Sequence, residues 1–386
     1  MKYLLIENAN VVFENCIRRS HILIHNNLIC DTDYSGELPE KCEVYDAQGA
    51  YVSPGFIDIH LHGGGGADFM DCTEAAFKAI SEVHLKNGTT TMVPTAVSSD
   101  FSDIIKLCDV YRKCMSACPN FYGIHLEGPY LSVAMKGAHN EKYLHSPTTE
   151  ECELLLTHGR GIIKRITAAP ELDNMEFFAK KMCDNGIHLS VGHSDATSEV
   201  ALKAFDNGFS HITHLYNVTP GVRKVGQQVK AGIVEAAYLN DDVTVELIAD
   251  GKHVAADAFR LAVKIKGTDK VCMVSDALRP AGTDEKISYL GEKIPENLVI
   301  IEDGVAKLPD RTRFAGSVAT SAMMLHQGVK LFGFSVCDAV RMMTSTPARI
   351  LGMSDRGSLH RGKLADLCVF GEDLEIRAVI KNGKVL

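Results

Sequence analysis

"FIDIHLHGGGG", residues 56–66, joins an apolar run to four consecutive glycines and carries two histidines one residue apart. In an extended strand, side chains alternate between two faces. His60 and His62 therefore point one way, and Ile59 and Leu61 the other. Two imidazoles side by side on one face suit a metal ion. A His-x-His pair also arises by chance, so the reading turns on whether further ligands exist and whether a fold could gather them. The glycines Gly63–Gly66 permit a sharp turn and a close backbone approach to a ligand, although a plain flexible turn would use them equally well.

Seven more strand-like runs follow: "TTTMVPTA" (89–96), "FYGIHLEG" (121–128), "IKRITAAP" (163–170), "GIHLSVGH" (186–193), "FSHITHLY" (209–216), "VTVELIAD" (243–250) and "KVCMVSDA" (270–277). Helical patterns lie between most of them, such as "TEAAFKAISEVHLKNG" (73–88) and "SEVALKAFDNG" (198–208), each closed by Asn-Gly. Eight strands alternating with helices predict an α/β fold, a TIM-like (β/α)8 barrel over residues 55–346. An open doubly wound sheet is the competing arrangement. It wants a G-x-G-x-x-G turn after the first strand, and "GGGGADF" does not supply one in that context. The two chain ends differ from this middle. "YLLIENANVVF", "SHILIHNNLIC" and "CEVYDAQGAYV" alternate in strand fashion, as do "ADLCVFG" and "IRAVIKNGKVL", with Asn382-Gly383 as a hairpin signal. Residues 1–54 and 347–386 are expected to form one small β-sandwich domain.

The 386 residues are 46% hydrophobic and 23% charged, which is globular composition with ample length for a large core. A net charge of -9 argues against nucleic acid as a partner, while leaving room for a phosphorylated small molecule in a local cationic pocket. No apolar run is long enough to cross a membrane, and no secretory leader is evident. The twelve cysteines are scattered with no C-x-x-C pair, so reduced thiols and a cytoplasmic location are expected.

In a barrel of this kind, chemistry sits at the C-terminal ends of the strands. Strand one ends in His60 and His62, strand three in Glu127, strand five in His193, strand six in His214 and strand eight in Asp276. For any one of these, a buried, satisfied side chain is the commoner fate. Six at one rim form a mixed imidazole and carboxylate donor set for a metal such as zinc or iron.

These residues resemble the amidohydrolase superfamily and, within it, the N-acetylglucosamine-6-phosphate deacetylases. "HLEGPYL", "KGAHN", "VGHSDA", "THLYNVTP", "ADGKHV", "VSDALRPAG", "FAGSVAT" and "TPARILG" carry the likeness over nearly the whole chain. The resemblance implies that Glu127, His193 and His214 hold the main metal, with His60 and His62 permitting a second and Glu127 bridging: one or two ions of zinc or iron per chain. It implies Asp276 as general base and acid, and substrate contacts from Ala138, His139, Asn217, Val218, His253 and the loop Phe314, Ala315 and Gly316. It also implies a homodimer. The reaction would be hydrolysis of the N-acetyl group of N-acetylglucosamine 6-phosphate. Asp276 would take a proton from a metal-activated water and return it to the departing nitrogen, while a histidine such as His139 could polarise the carbonyl.

Two stretches depart from the family pattern. "NVTP" stands where "NAM" is usual, and "GVRKVGQQ" where an Arg-Glu-Pro-Gly stretch is usual. Arg223 or Lys224 could serve the phosphate instead. The substitution keeps open another amide, such as that of N-acetylgalactosamine 6-phosphate or a cyclic amide. A non-catalytic scaffold would be marked by lost ligands, and all six are present.

Overall fold

In the computed structural model, which describes residues 2–386, each of the eight expected runs contains a strand. In chain order they are Phe56–Leu61, Thr89–Ala96, Ile124–Glu127, Ile163–Ala168, His188–Val191, Phe209–Ile212, Thr244–Ile248 and Val271–Val274. They pair in parallel and in sequence. The ring closes where Asp276 N–H donates to His60 O (2.9 Å) and His62 N–H to Ala277 O (2.8 Å). This is a (β/α)8 barrel. Its strands are buried nearly throughout, as parallel strands covered by helices on one side and a filled interior on the other must be.

The helix Glu74–Lys86 shows how the local sequence builds the outer layer. Thr73 Oγ1 accepts from Ala76 N–H and caps its start. Ala76, Phe77, Ile80 and His84 recur at helical spacing and are buried; full burial of Phe77 alone is worth about 2–3 kcal/mol. Asn87-Gly88 ends it, with Gly88 at φ 91 and so close to Phe56 that a Cβ would lie 2.8 Å from its ring.

The barrel interior beneath the rim is polar, which the sequence reading missed. Arg165, Glu246, His125 and His211 are all at most 2% exposed. Arg165 spans the space, donating to Glu246 Oε2 (2.6 Å), Ser190 Oγ (2.8 Å) and Thr213 Oγ1 (2.8 Å).

Both chain ends build one sheet. Its order is Lys384–Val385, Ile376–Lys381, Leu367–Phe370, Tyr51–Pro54, Tyr3–Val12, Ile17–His25 and Leu28–Asp31. The expected sandwich is thus a single eight-stranded sheet that forks. Cys42–Asp46 pairs with Tyr3–Glu7, and Tyr51 and Val52 pair with Asn10 and Val11 on the same side. An irregularity between Ile6 and Ala9, with Asn8 at φ 55, separates the two halves. Leu4, Ile6, Ile22, Val52, Leu367 and Ile380 share one apolar core, so the sheet curls around it.

Two additions to the barrel were not anticipated. Ile287–Tyr289, Leu298–Glu302, Val305–Lys307 and Phe314–Ser317 form a four-stranded antiparallel sheet after strand eight. Its core, including Leu290, Val299, Ala306 and Ala315, packs on Val97 and Leu278. A hairpin of Arg223–Val225 and Gln228–Lys230 follows strand six.

Candidate active site

Glu127 is the last residue of strand three, whereas His193, His214 and Asp276 each lie two residues past strands five, six and eight. All three adopt left-handed backbone, with φ of 47, 29 and 49. Such conformations cost of order 1–3 kcal/mol each outside glycine and cluster where function holds them. Here they accompany side chains turned to the barrel axis.

The side chains converge. His214 Nε2 is 2.9 Å and His193 Nε2 3.2 Å from Glu127 Oε1. His62 Nε2 lies 3.1 Å from Glu127 Oε2 and 3.3 Å from Asp276 Oδ1. His60 Nε2 lies 3.4 Å from Glu127 Oε1 and 3.5 Å from Asp276 Oδ1. Two metal-type clusters overlap at Glu127: His60, His62 and Glu127; and Glu127, His139 and His193.

The hydrogen bonds behind these rings assign their tautomers. His193 Nδ1 faces Met135 O (3.0 Å), His214 Nδ1 faces Asn217 O (3.1 Å) and His60 Nδ1 faces Glu246 Oε1 (2.6 Å). Each of these oxygens can only accept, so each Nδ1 carries a proton. The opposite nitrogens are then free to present lone pairs to the centre. His193 Nε2 and His214 Nε2 are only 3.1 Å apart and share the same carboxylate oxygen. Two lone pairs at that distance need something positive between them. His60 Nε2, which faces the same centre, has no hydrogen-bond partner at all. A divalent cation fits this donor set, with Glu246 supplying the outer hydrogen bond that fixes His60.

Burial opposes charge on every one of these groups. At Glu127 it is outweighed first by the charge of His60 and then by the imidazoles of His139, His193 and His214 around it, which hold the carboxyl well below the usual range. At Asp276 it is outweighed by the hydrogen bond from His62 and the charges of His60 and His62, and that carboxyl is lowered too. Against burial, the carboxylates in turn raise His62 to about 9 and hold His60 well above the ordinary value, so these two rings carry protons that a bound cation would displace. His193, which has His139 beside it, is pushed down to about 4, chiefly by burial. It is neutral at pH 7, the form that ligates metal.

A cleft of about 530 Å³ opens over this floor. Ala138, His139, Asn217, Val218, His253, Phe314, Ala315 and Gly316 all line it, together with His62, Glu127, His193, His214 and Asp276. His60 sits just behind, fully buried. His139 Nδ1 accepts from Ser98 N–H (3.3 Å), which leaves its Nε2–H aimed at the site, 3.4 Å from Glu127 Oε2. His253 Nδ1 is held by Asp250 Oδ2 (2.8 Å), and its ring packs on Phe314, centroids 4.9 Å apart. Val218 is strained at φ 46, a rare conformation for a β-branched residue.

Arg223 is the exception. Its guanidinium holds Asp195, through the carboxylate and through Asp195 O (2.8 Å), and it does not line the cleft. The physical reason is Asp195, whose carboxylate and carbonyl both take the guanidinium at the start of the hairpin. The cations that do line the cleft, Lys307, Arg311 and Arg313, come from the unanticipated sheet. Their signal was a cluster of basic residues around "FAG", which the sequence reading passed over.

Fold and site together define the class: the chain belongs to the amidohydrolase family, whose sequence model matches residues 51–386. Within that class it is similar to the N-acetylglucosamine-6-phosphate deacetylase of Haemophilus influenzae, 33% identical over 392 aligned residues that cover 100% of this chain and 99% of the relative. The N-acetylgalactosamine-6-phosphate deacetylase of a Shewanella species is 30% identical, over 99% and 96% of the two chains. The crystal structure of N-acetylglucosamine-6-phosphate deacetylase from Pasteurella multocida superposes with a TM-score of 0.92 at 30% identity, covering 100% of this chain and 99% of that one. The resemblance read from the sequence is borne out.

Proposed function

We propose that the chain is a metal-dependent deacetylase that hydrolyses N-acetylglucosamine 6-phosphate to glucosamine 6-phosphate and acetate. One observation carries the reading. The histidine and carboxylate donors meet at one point with Asp276 Oδ1 within 3.5 Å of both His60 and His62, in a chain matched over its full length by deacetylases. Glu127, His193 and His214 would hold one cation, and His60 and His62 a second that shares Glu127. Such an ion, zinc or iron, supplies Lewis acidity that acidifies a water molecule and polarises an amide carbonyl.

The chain's own residues do the rest. Asp276 removes a proton from the attacking water and later delivers it to the departing sugar nitrogen. His139 Nε2–H donates towards the carbonyl oxygen as charge builds there. Asn217, Val218, His253 and the Phe314–Gly316 loop orient the sugar, and the cationic wall faces its phosphate.

All twelve cysteines are free, which supports a reducing, cytoplasmic setting. No helix among the described residues is long and apolar enough to cross a membrane. The homodimer rests on the family resemblance. For the domains, Ala348, Leu351 and Met353 pack with Ile57 and Ile59 of the barrel, while Leu359 joins the sheet core. We therefore place the second domain boundary between Met353 and Leu359, later than the expected 347.

The Shewanella relative and the unusual "GVRKVGQQ" loop favour a second reading, the galacto epimer as substrate. Metal content per chain, measured beside acetate release from both epimeric phosphates and from the unphosphorylated sugar, tests all of this. Faster turnover of the gluco phosphate supports the first reading, and of the galacto phosphate the second. Bound metal without acetate release rejects both substrates. Absence of metal under reducing, metal-replete conditions rejects the metal-dependent mechanism.

A further inference from the structure

We propose that Arg313 is the residue that reads the anionic end of the substrate, in place of an arginine on the loop after strand six. The inference rests on the reading above that the substrate carries a phosphate.

The cleft is charge-ordered. Its acids, Glu127 and Asp276, lie on the floor among the histidines. Its cations, Lys307, Arg311 and Arg313, all lie on one wall, around the hairpin turn that joins Val305–Lys307 to Phe314–Ser317. A ligand with an amide at one end and an anion at the other suits that order.

The three cations are not equivalent. Lys307 Nζ is 2.7 Å from Asp303 Oδ2 and 3.6 Å from Glu302 Oε2. Arg311 grips Glu302 through Nε (3.0 Å) and Nη2 (2.6 Å). Both charges are already answered. Arg313 has no ion pair and no side-chain hydrogen bond among the described residues. Asp310, the carboxylate close enough to feel its charge, is occupied by the N–H and hydroxyl of Thr312.

The base of Arg313 is nevertheless fixed. Its carbonyl accepts from Leu308 N–H (3.0 Å), and Phe314 beside it packs on His253. An anchored arginine with an unspent guanidinium offers a planar fork that matches phosphate geometry in a way lysine does not. Arg223 cannot serve within this subunit, since Asp195 holds it outside the cleft.

The test compares wild type, R313M, R313K and R223M on N-acetylglucosamine 6-phosphate and on N-acetylglucosamine, following acetate release. The wild type should prefer the phosphorylated sugar. R313M should raise KM for that sugar by about tenfold or more with kcat little changed, and leave the unphosphorylated reaction alone. R313K should recover part of the loss. An R313M enzyme that keeps the wild-type preference overturns the inference and leaves the deacetylase reading intact. Loss of the preference in R223M instead assigns the phosphate to the loop arginine and also overturns it. A wild type that does not distinguish the two sugars, or cleaves neither, overturns the phosphorylated substrate together with the inference.

Discussion

His60 Nδ1 lies 2.6 Å from Glu246 Oε1, and both side chains are fully buried. The other oxygen of Glu246 takes Arg165 Nη1 at 2.6 Å and His211 Nε2 at 3.2 Å, while Oε1 also faces the backbone N–H of His214 at 3.3 Å. One carboxylate thus orients a histidine ring from strand one, touches the main chain of the histidine after strand six and neutralises a buried arginine.

Two losses are expected from E246Q. The buried Arg165 would lose its counter-charge, which typically costs 3–5 kcal/mol when one partner of a buried pair is removed. The single oxygen of the amide cannot accept from both Arg165 and the His60 ring; turned to Arg165, which can only donate, it leaves His60 Nδ1 facing an NH2 group, and losing that orienting acceptor typically weakens metal affinity by about 10–100-fold. Urea unfolding of the metal-free variant measures the first effect, and competition with a chelator the second. Weaker folding with unchanged metal affinity would show that Glu246 supports the barrel and not the metal site.

Asp276 separates metal binding from proton transfer. D276N keeps the shape of the side chain beside His62 Nε2, 3.3 Å away, but cannot accept a proton at neutral pH. We expect kcat to fall by about 10²–10⁴-fold, with KM changed by far less and metal content retained. A D276N enzyme with near wild-type kcat would remove the residue from the mechanism. Loss of the metal in the same variant would recast it as a ligand.

These effects trace a boundary in what the sequence could disclose. The rim residues were legible because each lies at or just past the end of a buried apolar run, so a barrel alone gathers them. Arg165 and Glu246 were not. Each is a charge set in a strand run, beside Lys164 in "IKRITAAP" or ahead of Asp250 in "VTVELIAD", and its partner lies across a barrel whose closure must be known first. The four-stranded sheet was hidden for another reason. "ISY" and "VAK" are too short to show alternation, although Asp303-Gly304, both at positive φ, marks a hairpin turn. For Arg223, composition can name a cation near a pocket but not the carboxylate, Asp195, that takes it up.

His84 gives a pH dependence independent of the metal. It is fully buried, and its Nε2 donates to Gly63 O at 2.9 Å. Burial pushes its pKa down to about 4, below the ordinary value of about 6.5. With the folded value lower than the unfolded one, the unfolded chain takes up the proton first. The contribution is whole above about pH 6.5 and is lost as pH falls towards about 4, by up to about 3 kcal/mol. H84Q can still donate to Gly63 O and has nothing to titrate. Unfolding midpoints between about pH 7.5 and 4.5 should therefore fall more steeply for wild type than for H84Q, and parallel curves would clear His84 of the effect.

The glycine run after His62 separates crowding from conformational freedom. A Cβ on Gly63 would stand 2.3 Å from Ala67 O and 2.9 Å from Arg279 N, both main-chain atoms that cannot swing aside. A Cβ on Gly66 would meet only Glu285 Oε1 at 3.5 Å, but the backbone there has φ 82. G66A should cost about 1 kcal/mol, the ordinary penalty for alanine in a left-handed conformation. G63A must push apart the loop that carries His62 into the site and the segment after Asp276. It should cost several times more in stability, and it should lower metal occupancy, which G66A should leave intact. Chemical denaturation and metal analysis of the two variants decide the matter. Equal penalties would mean that the mouth of the barrel yields where the packing says it is rigid.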